Sequence, residues 1–239
     1  MAQIFPGEIF AQTADFDLGI RQLIPKYDEM LDVVVHCLPA GSHRILELGC
    51  GTGGLSLKIL QRFPDAEIIA LDYSSRMLSF AQEKITAAGY GNRWTGIEID
   101  FGEWAINPKK INISTGFDAA VSSLAIHHLS DEMKFNVFQQ IGDNLRSHGC
   151  FWNADPVLPE SPNLAEIYAQ GREEWVKQQG INITEVNAKR GISDNQGYST
   201  QDRLATLETH FQMLLNAGFV TVATPWKYYG LAVFGGWVD

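Results

Sequence analysis

The stretch Ile45-Leu46-Glu47-Leu48-Gly49-Cys50-Gly51-Thr52-Gly53-Gly54 constrains this chain more than any other. The apolar run Ile45 to Leu48 predicts a buried strand. A glycine-rich turn follows, and Leu55 to Leu60 opens a helix. Glycines suit such a turn because the backbone must reverse tightly and a ligand must approach it where a Cβ would clash. Exposed N–H groups at the start of a helix then favour a polar or anionic ligand. Gly49, Gly51 and Gly54 also satisfy the G-x-G-x-x-G dinucleotide pattern, so the string alone fits a nicotinamide as well.

The segments around this turn alternate. Asp17 to Leu38 has helical spacing interrupted at Ile24-Pro25, which predicts two helices. Glu67 to Leu71 reads as a second strand ending in Asp72-Tyr73, and Ser74 or Ser75 caps a helix running to about Ala88. Trp94 to Ile99 is a third strand, ending in Asp100-Phe101. Gly102 to Gly116 reads as a loop, Phe117 to Ser122 as a fourth strand, Asp131 to Leu145 as a helix and Gly149 to Asn153 as the start of a fifth strand. Residues 155 to 200 break the rhythm with Pro156, Pro159 and Pro162, an amphipathic helix and a polar loop. They read as an insertion over the site. Thr200 to Ala217 predicts a helix capped by Thr200 or Asp202. Phe219 to Pro225 and Tyr228 to Phe234 predict an antiparallel hairpin. Strand–helix alternation implies a parallel sheet covered on both faces, with ligands at the carboxyl ends of its strands. Glu47, Gly49, Asp72, Asp100 and Ser122 all fall at such ends.

Composition narrows the partners. The 239 residues suffice for one large domain, and 45% are hydrophobic, enough for a sizeable core. A net charge of −10 argues against unassisted nucleic-acid binding, which rests largely on Lys and Arg neutralising phosphates. Cys37, Cys50 and Cys150 have neither metal nor disulfide spacing. No basic leader or membrane-length apolar run is present, so the expectation is a soluble cytoplasmic protein without a membrane partner.

These residues resemble the class I S-adenosylmethionine-dependent methyltransferases. Glu47-Leu48-Gly49-Cys50-Gly51-Thr52-Gly53 is similar to that family's first motif. Asp72 closes a stretch like its second, Asp100 its third, and Phe117 to Ser122 matches its fourth. The resemblance implies a Rossmann-like α/β fold: a mostly parallel seven-stranded sheet, helices on both faces and a C-terminal antiparallel hairpin. It implies S-adenosylmethionine as cofactor. It further divides the chain into a helical arm over residues 1–43 that covers the cofactor and a methyltransferase domain over 44–239. In that picture Glu47 offsets the ammonium of the methionyl group. Gly49, Gly51 and Gly53 let the backbone pass close to it. Asp72 accepts both ribose hydroxyls, Tyr73 and Met77 lie against the adenine, and Asp100 with the Phe101 N–H meets its edge. Ser122 borders the same site.

The segment Arg21 to Tyr27 and the stretch Leu207-Glu208-Thr209-His210 to Gly218-Phe219 also resemble carboxy-S-adenosylmethionine synthases. By that likeness Arg21 and Tyr27 close over the cofactor carboxylate. Those synthases keep an arginine in the late helix for their product's extra carboxylate, whereas Met213 stands there in this chain. A methionine cannot neutralise a carboxylate, so ordinary methyl transfer is the expectation. A carboxy-S-adenosylmethionine synthase-like transferase and a non-catalytic binding module are the alternatives.

Methyl transfer is an in-line displacement that needs alignment and water exclusion, with a base only where the acceptor carries a proton. His127, the first histidine past the fourth strand, is the candidate base and acceptor contact, ahead of His128 and His210. Adjacent histidines make no metal motif, since neighbours in sequence seldom face one ligand, and no metal is expected. Tyr168, Trp175, Trp226 and Tyr228, with Tyr229, are candidate walls of a small-molecule acceptor pocket. Glu160 and Glu166 add a hint of an amine-bearing acceptor. By analogy alone, the late hairpin and the N-terminal arm offer a homodimer contact.

Overall fold

A computed structural model describes residues 16–107, 113–180 and 202–239. The expected N-terminal arm up to residue 15 and the polar end of the insertion lie outside them. Seven strands form one sheet in the order β3-β2-β1-β4-β5-β7-β6. These are β1 (Arg44–Leu48), β2 (Glu67–Asp72), β3 (Trp94–Glu98), β4 (Phe117–Ser123), β5 (Leu145–Pro156), β6 (Thr221–Tyr228) and β7 (Leu231–Trp237). Strands β1 to β5 pair in parallel, while β7 runs antiparallel to both β5 and β6. The order reverses between β1 and β4, which opens a crevice at the carboxyl ends of those strands.

Eight helices surround the sheet in the described residues: α1 (Phe16–Leu23), α2 (Tyr27–His36), α3 (Gly54–Arg62), α4 (Ser75–Ala87), α5 (Phe101–Ile106), α6 (Asp131–Asn144), α7 (Pro162–Gln178) and α8 (Leu207–Asn216). Side chains alternate across a strand, so each face of the sheet builds its own core. Ile45, Ile68, Val121 and Trp152 face Met30 and Leu31 of α2, Leu55 and Ile59 of α3, and Ile85 of α4. Leu46, Leu48, Ala120 and Phe151 face Trp104 of α5, Phe138 and Ile141 of α6, and Leu214 of α8. Glu47 shares the parity of Ile45 yet is only 1% exposed, a carboxyl group inside an apolar layer.

The break at Ile24-Pro25 is present, with Lys26 in the left-handed region at φ 58° before α2. The hairpin turn falls later than expected, at Tyr229-Gly230, since Tyr228 closes β6 and does not open β7. Three other elements differ from the sequence expectation. The supposed loop from Gly102 contains α5, because Asp100 caps it by accepting from Gly102 N at 2.8 Å and Glu103 N at 3.3 Å. An added Cβ at Gly102 would stand 2.6 Å from Met133 Cε, the movable end of that side chain. β5 starts at Leu145, directly after α6, and continues to Pro156, pairing with β4 and β7 on its two sides. The late helix starts at Leu207 with Thr206 as its cap, not at Thr200 or Asp202. Residues 202–206 instead run alongside the site: Arg203 N donates to His127 O at 2.7 Å and Leu158 N to Ala205 O at 2.9 Å. A tertiary pairing there overrides the local helical pattern. No helix among the described residues is long and apolar enough to cross a membrane. All three cysteines are free thiols.

Candidate active site

The turn after β1 is held open by backbone geometry. Gly49, Gly51 and Gly53 take φ of 68°, 51° and 76°, a region L side chains rarely occupy. A Cβ on Gly49 would lie 2.3 Å from Ala125 Cβ, whereas one on Gly51 would meet no atom within 4 Å. Gly49 is therefore required by the turn at the end of β4, and Gly51 borders open space. Gly49 N donates to Leu71 O at 2.7 Å, which ties the loop to β2.

Two buried carboxyl groups flank this loop. Asp72 accepts from Gly51 N at 2.8 Å through one oxygen and from Ser74 N at 2.9 Å through the other. Burial raises its pKa, and backbone N–H groups of Ser74, Gly51 and Tyr73 oppose the rise. Glu47 accepts from Ser56 Oγ, which in turn accepts from Trp94 Nε1 at 2.8 Å. Burial, with Asp72 nearby adding to it, lifts Glu47 to about 8 against the Ser56 hydrogen bond. These carboxyl groups are costly where they stand unless a positive or hydrogen-bonding group joins them.

The N-terminal helices cover the loop. Thr52 Oγ1 donates to Asp17 Oδ1 at 2.6 Å, and Lys84 of α4 pairs with the same carboxylate. The Tyr27 hydroxyl lies 3.4 Å from where a Cβ on Gly54 would stand, and burial raises its pKa strongly. Arg21 grips Asp28 through two bonds of 2.9 and 3.1 Å and also donates to Asp17 O. Its guanidinium lies 5.6 Å from the Tyr27 ring.

The other predicted contacts are placed with more variety. Met77 and Phe101 are buried, Phe101 with its ring 3.5 Å from where a Cβ on Gly49 would stand, and Tyr73 is half-buried. Asp100 is exposed and uses one oxygen to cap α5. Ser122 is buried and donates to Leu48 O at 2.9 Å, locking β4 to β1.

Across the crevice, Leu124, the residue after β4, takes the left-handed region at φ 52° and directs a single turn over Ile126–His128. Asp155 at the end of β5 accepts from His127 N at 2.9 Å and pairs with His127 Nδ1 at 2.7 Å, while Asn153 Nδ2 donates to it at 3.1 Å. The same Asp202 oxygen stands 3.7 Å from His127 Nε2 and 3.4 Å from His128 Nδ1. Burial, then the neighbouring His127, lowers the pKa of His128 and favours its neutral ring. His210 is buried against Phe234 and Phe138, and within the field of Asp155 and Lys134. Burial drives its pKa down to about 4. Asp202 was read from sequence only as a helix cap. Its role here depends on the pairing of residues 202–206 with the His127 turn, which leaves no periodic signal.

A cavity of about 370 Å³ is lined in part by residues that follow Asp155 and Asp202 in the chain, but not by the cluster's own side chains. Pro156 to Pro159 continue from Asp155 into its wall, and Leu204 enters from beside Asp202. Leu23 to Pro25, Tyr168, Tyr228 and Tyr229 form other walls, with Arg172 and Glu166 as the charged residues. Tyr168 and Tyr228 both line this cavity. Trp175 and Trp226 instead pack against the cluster that includes α2, and Trp226 Nε1 donates to Glu29 at 2.9 Å. Glu160 pairs with Lys227 on the surface.

A Rossmann-like sheet with a left-handed glycine loop and acidic strand ends defines a nucleoside-binding α/β enzyme. Comparison with known proteins narrows this. Residues 45–149 match the methyltransferase domain family. A carboxy-S-adenosyl-L-methionine synthase of Campylobacter hominis is 26% identical over 246 residues, covering 97% of each chain. An uncharacterized methyltransferase of Bacillus licheniformis is 31% identical over 157 residues, 66% of each. An O-methyltransferase family protein from Burkholderia thailandensis has the same fold, with a TM-score of 0.65 at 14% identity. The match covers 95% of this chain and 60% of that one. Residues 45–149 therefore form a methyltransferase domain on a class I S-adenosylmethionine-dependent methyltransferase fold, and the cofactor is S-adenosylmethionine.

Proposed function

We propose that the chain moves a methyl group from S-adenosylmethionine to a small-molecule acceptor seated in the cavity beside Asp155 and Asp202. The observation that carries this reading is the pair of buried carboxyl groups, Glu47 and Asp72, on either side of the left-handed glycine loop. Glu47 suits an ammonium and Asp72 a ribose diol, and the open space at Gly51 admits a ligand against the backbone. Bound there, the cofactor supplies a methyl group already activated by its sulfonium. The chain's own work is to bind, align and keep water out. The helices α1 and α2 cover the cofactor side through Asp17–Thr52 and Tyr27. Tyr168, Tyr228 and Tyr229 give the acceptor an apolar and aromatic seat. His127 is the polar group set against the acceptor, its ring fixed by Asp155.

A second reading, synthesis of carboxy-S-adenosylmethionine, is favoured by the similarity to such synthases over nearly the whole chain. Against it, Met213 packs partly buried on the α6–α8 side of the sheet and offers no charge to a second carboxylate. Mass spectrometry of the ligand released from freshly purified protein separates the two. S-adenosylmethionine or S-adenosylhomocysteine, with methylated product from a panel of hydroxyl, amine and thiol acceptors, supports methyl transfer. A carboxylated cofactor mass overturns it.

A further inference from the structure

We propose that His127, His128 and Asp202 form a binding site for one divalent transition cation of the zinc class, with His127 Nε2, His128 Nδ1 and an Asp202 carboxylate oxygen as its ligands. These three atoms lie within 4.8 Å of one another. The separations to the Asp202 oxygen, 3.4 and 3.7 Å, do not form hydrogen bonds. Bonds of about 2.0–2.1 Å place neighbouring ligand atoms of a tetrahedral site roughly 3.3–3.4 Å apart, which the His128 separation matches and the His127 separation of 3.7 Å exceeds slightly.

Three further observations point the same way. His128 Nδ1 is inaccessible and, among the described residues, meets only the Asp202 carboxylate, at 3.4 Å and outside good hydrogen-bond geometry. A buried ring nitrogen so loosely satisfied is costly, and a cation between it and the carboxylate relieves the cost. The second ring nitrogen of His127 is held by Asp155 at 2.7 Å, the carboxylate–histidine–metal arrangement that fixes the ring and leaves Nε2 as the donor. Finally, the side chains of Asp155 and Asp202 are 1% and 6% exposed, so two carboxylates meet two imidazoles in a region largely closed to water. The nearby Lys134 ammonium is taken up by Asp131 and the Arg203 carbonyl. The pairing of Arg203 N with His127 O holds the third ligand against the first.

Two imidazoles and one carboxylate leave a fourth position, as in catalytic rather than structural zinc sites. We assign that position to an oxygen of a hydroxylated acceptor reaching in from the cavity that Pro156 to Pro159 and Leu204 line. The assignment rests on the methyl-transfer reading, whereas the metal site itself does not. His127 is then a metal ligand and not a free base.

The test uses the full chain, stripped of metal and titrated with Co²⁺. The expected result is one Co²⁺ per chain, with the visible absorption of a four-coordinate ion, displaced by Zn²⁺. Asp202→Asn and His128→Ala should each weaken Co²⁺ binding at least tenfold. Asp155→Asn, which loosens only the ring of a ligand, should weaken it about 10–100-fold. Titration with S-adenosylhomocysteine should be unchanged in all of them, which also reports that the variants are folded. Absence of stoichiometric Co²⁺ binding by wild-type protein that still binds S-adenosylhomocysteine overturns the site and returns His127 Nε2 to service as a proton acceptor. Equal Co²⁺ affinity in wild type and both ligand variants overturns it as well. Failure to bind S-adenosylhomocysteine while Co²⁺ still binds refutes the cofactor assignment alone.

Discussion

Glu47 shows how one residue's environment sets its chemistry. Its carboxyl group is held at about 8 in the ligand-free chain, from an ordinary value of 4.5. A carboxyl with a raised folded pKa costs nothing while protonated in both states and costs progressively more as pH climbs from about 4.5 through about 8. The ligand-free protein should therefore lose stability over that window, and Glu47→Gln should flatten the slope; equal slopes in denaturant titrations of both proteins would refute this. An ammonium placed against Glu47 favours the ionised form. Cofactor binding below pH 8 should then release a proton and tighten as pH rises. Calorimetry in buffers of different ionisation enthalpy reads that proton directly, and it should be absent in Glu47→Gln. Asp72 is tested differently, because its two oxygens also accept from Gly51 and Ser74. Asp72→Ala should lower affinity for S-adenosylhomocysteine at least tenfold and cost about 1–3 kcal/mol of stability through the orphaned N–H groups. Unchanged affinity in that variant would refute its cofactor role.

The glycine loop and the turn after β4 behave as one element although 76 positions in sequence separate Gly49 from Ala125. Gly49→Ala forces a left-handed alanine and drives its Cβ to 2.3 Å from Ala125 Cβ. The expected destabilisation is about 2–5 kcal/mol, of which about 1–2 is conformational and the rest steric. Adding Ala125→Gly should recover the steric part only. A double-mutant cycle in urea measures that coupling, and strict additivity would show that the two turns do not meet. The strand ends were legible in sequence because buried parallel strands are continuous apolar runs whose polar stops mark the ligand edge. α5 was missed because six residues carry too little periodicity, and its cap, Asp100, reads equally as a strand end. α8 was placed too early because residues 202–206 give up helix for backbone pairing with His127 and Leu158.

For the whole molecule, cofactor binding to the native state alone should raise stability by about 2.7 kcal/mol at a hundredfold excess over Kd. In a chain of this size that corresponds to roughly 5–10 °C in Tm, measurable by scanning calorimetry with S-adenosylhomocysteine. The acceptor side should respond separately. Tyr168→Ala, at the cavity wall, should raise acceptor KM several-fold while leaving the S-adenosylhomocysteine shift intact; a lost shift would place Tyr168 on the cofactor side. The sequence by itself determined the α/β alternation, the glycine turn and the acidic strand ends, because each depends on neighbours within a few residues. Only the tertiary structure decided that Trp175 and Trp226 leave the cavity to Tyr168, Tyr228 and Tyr229. It alone brought Asp155 and Asp202 onto His127 and His128. Those contacts join segments dozens of residues apart, and side-chain type fixes what a group can do but not which distant group it will face.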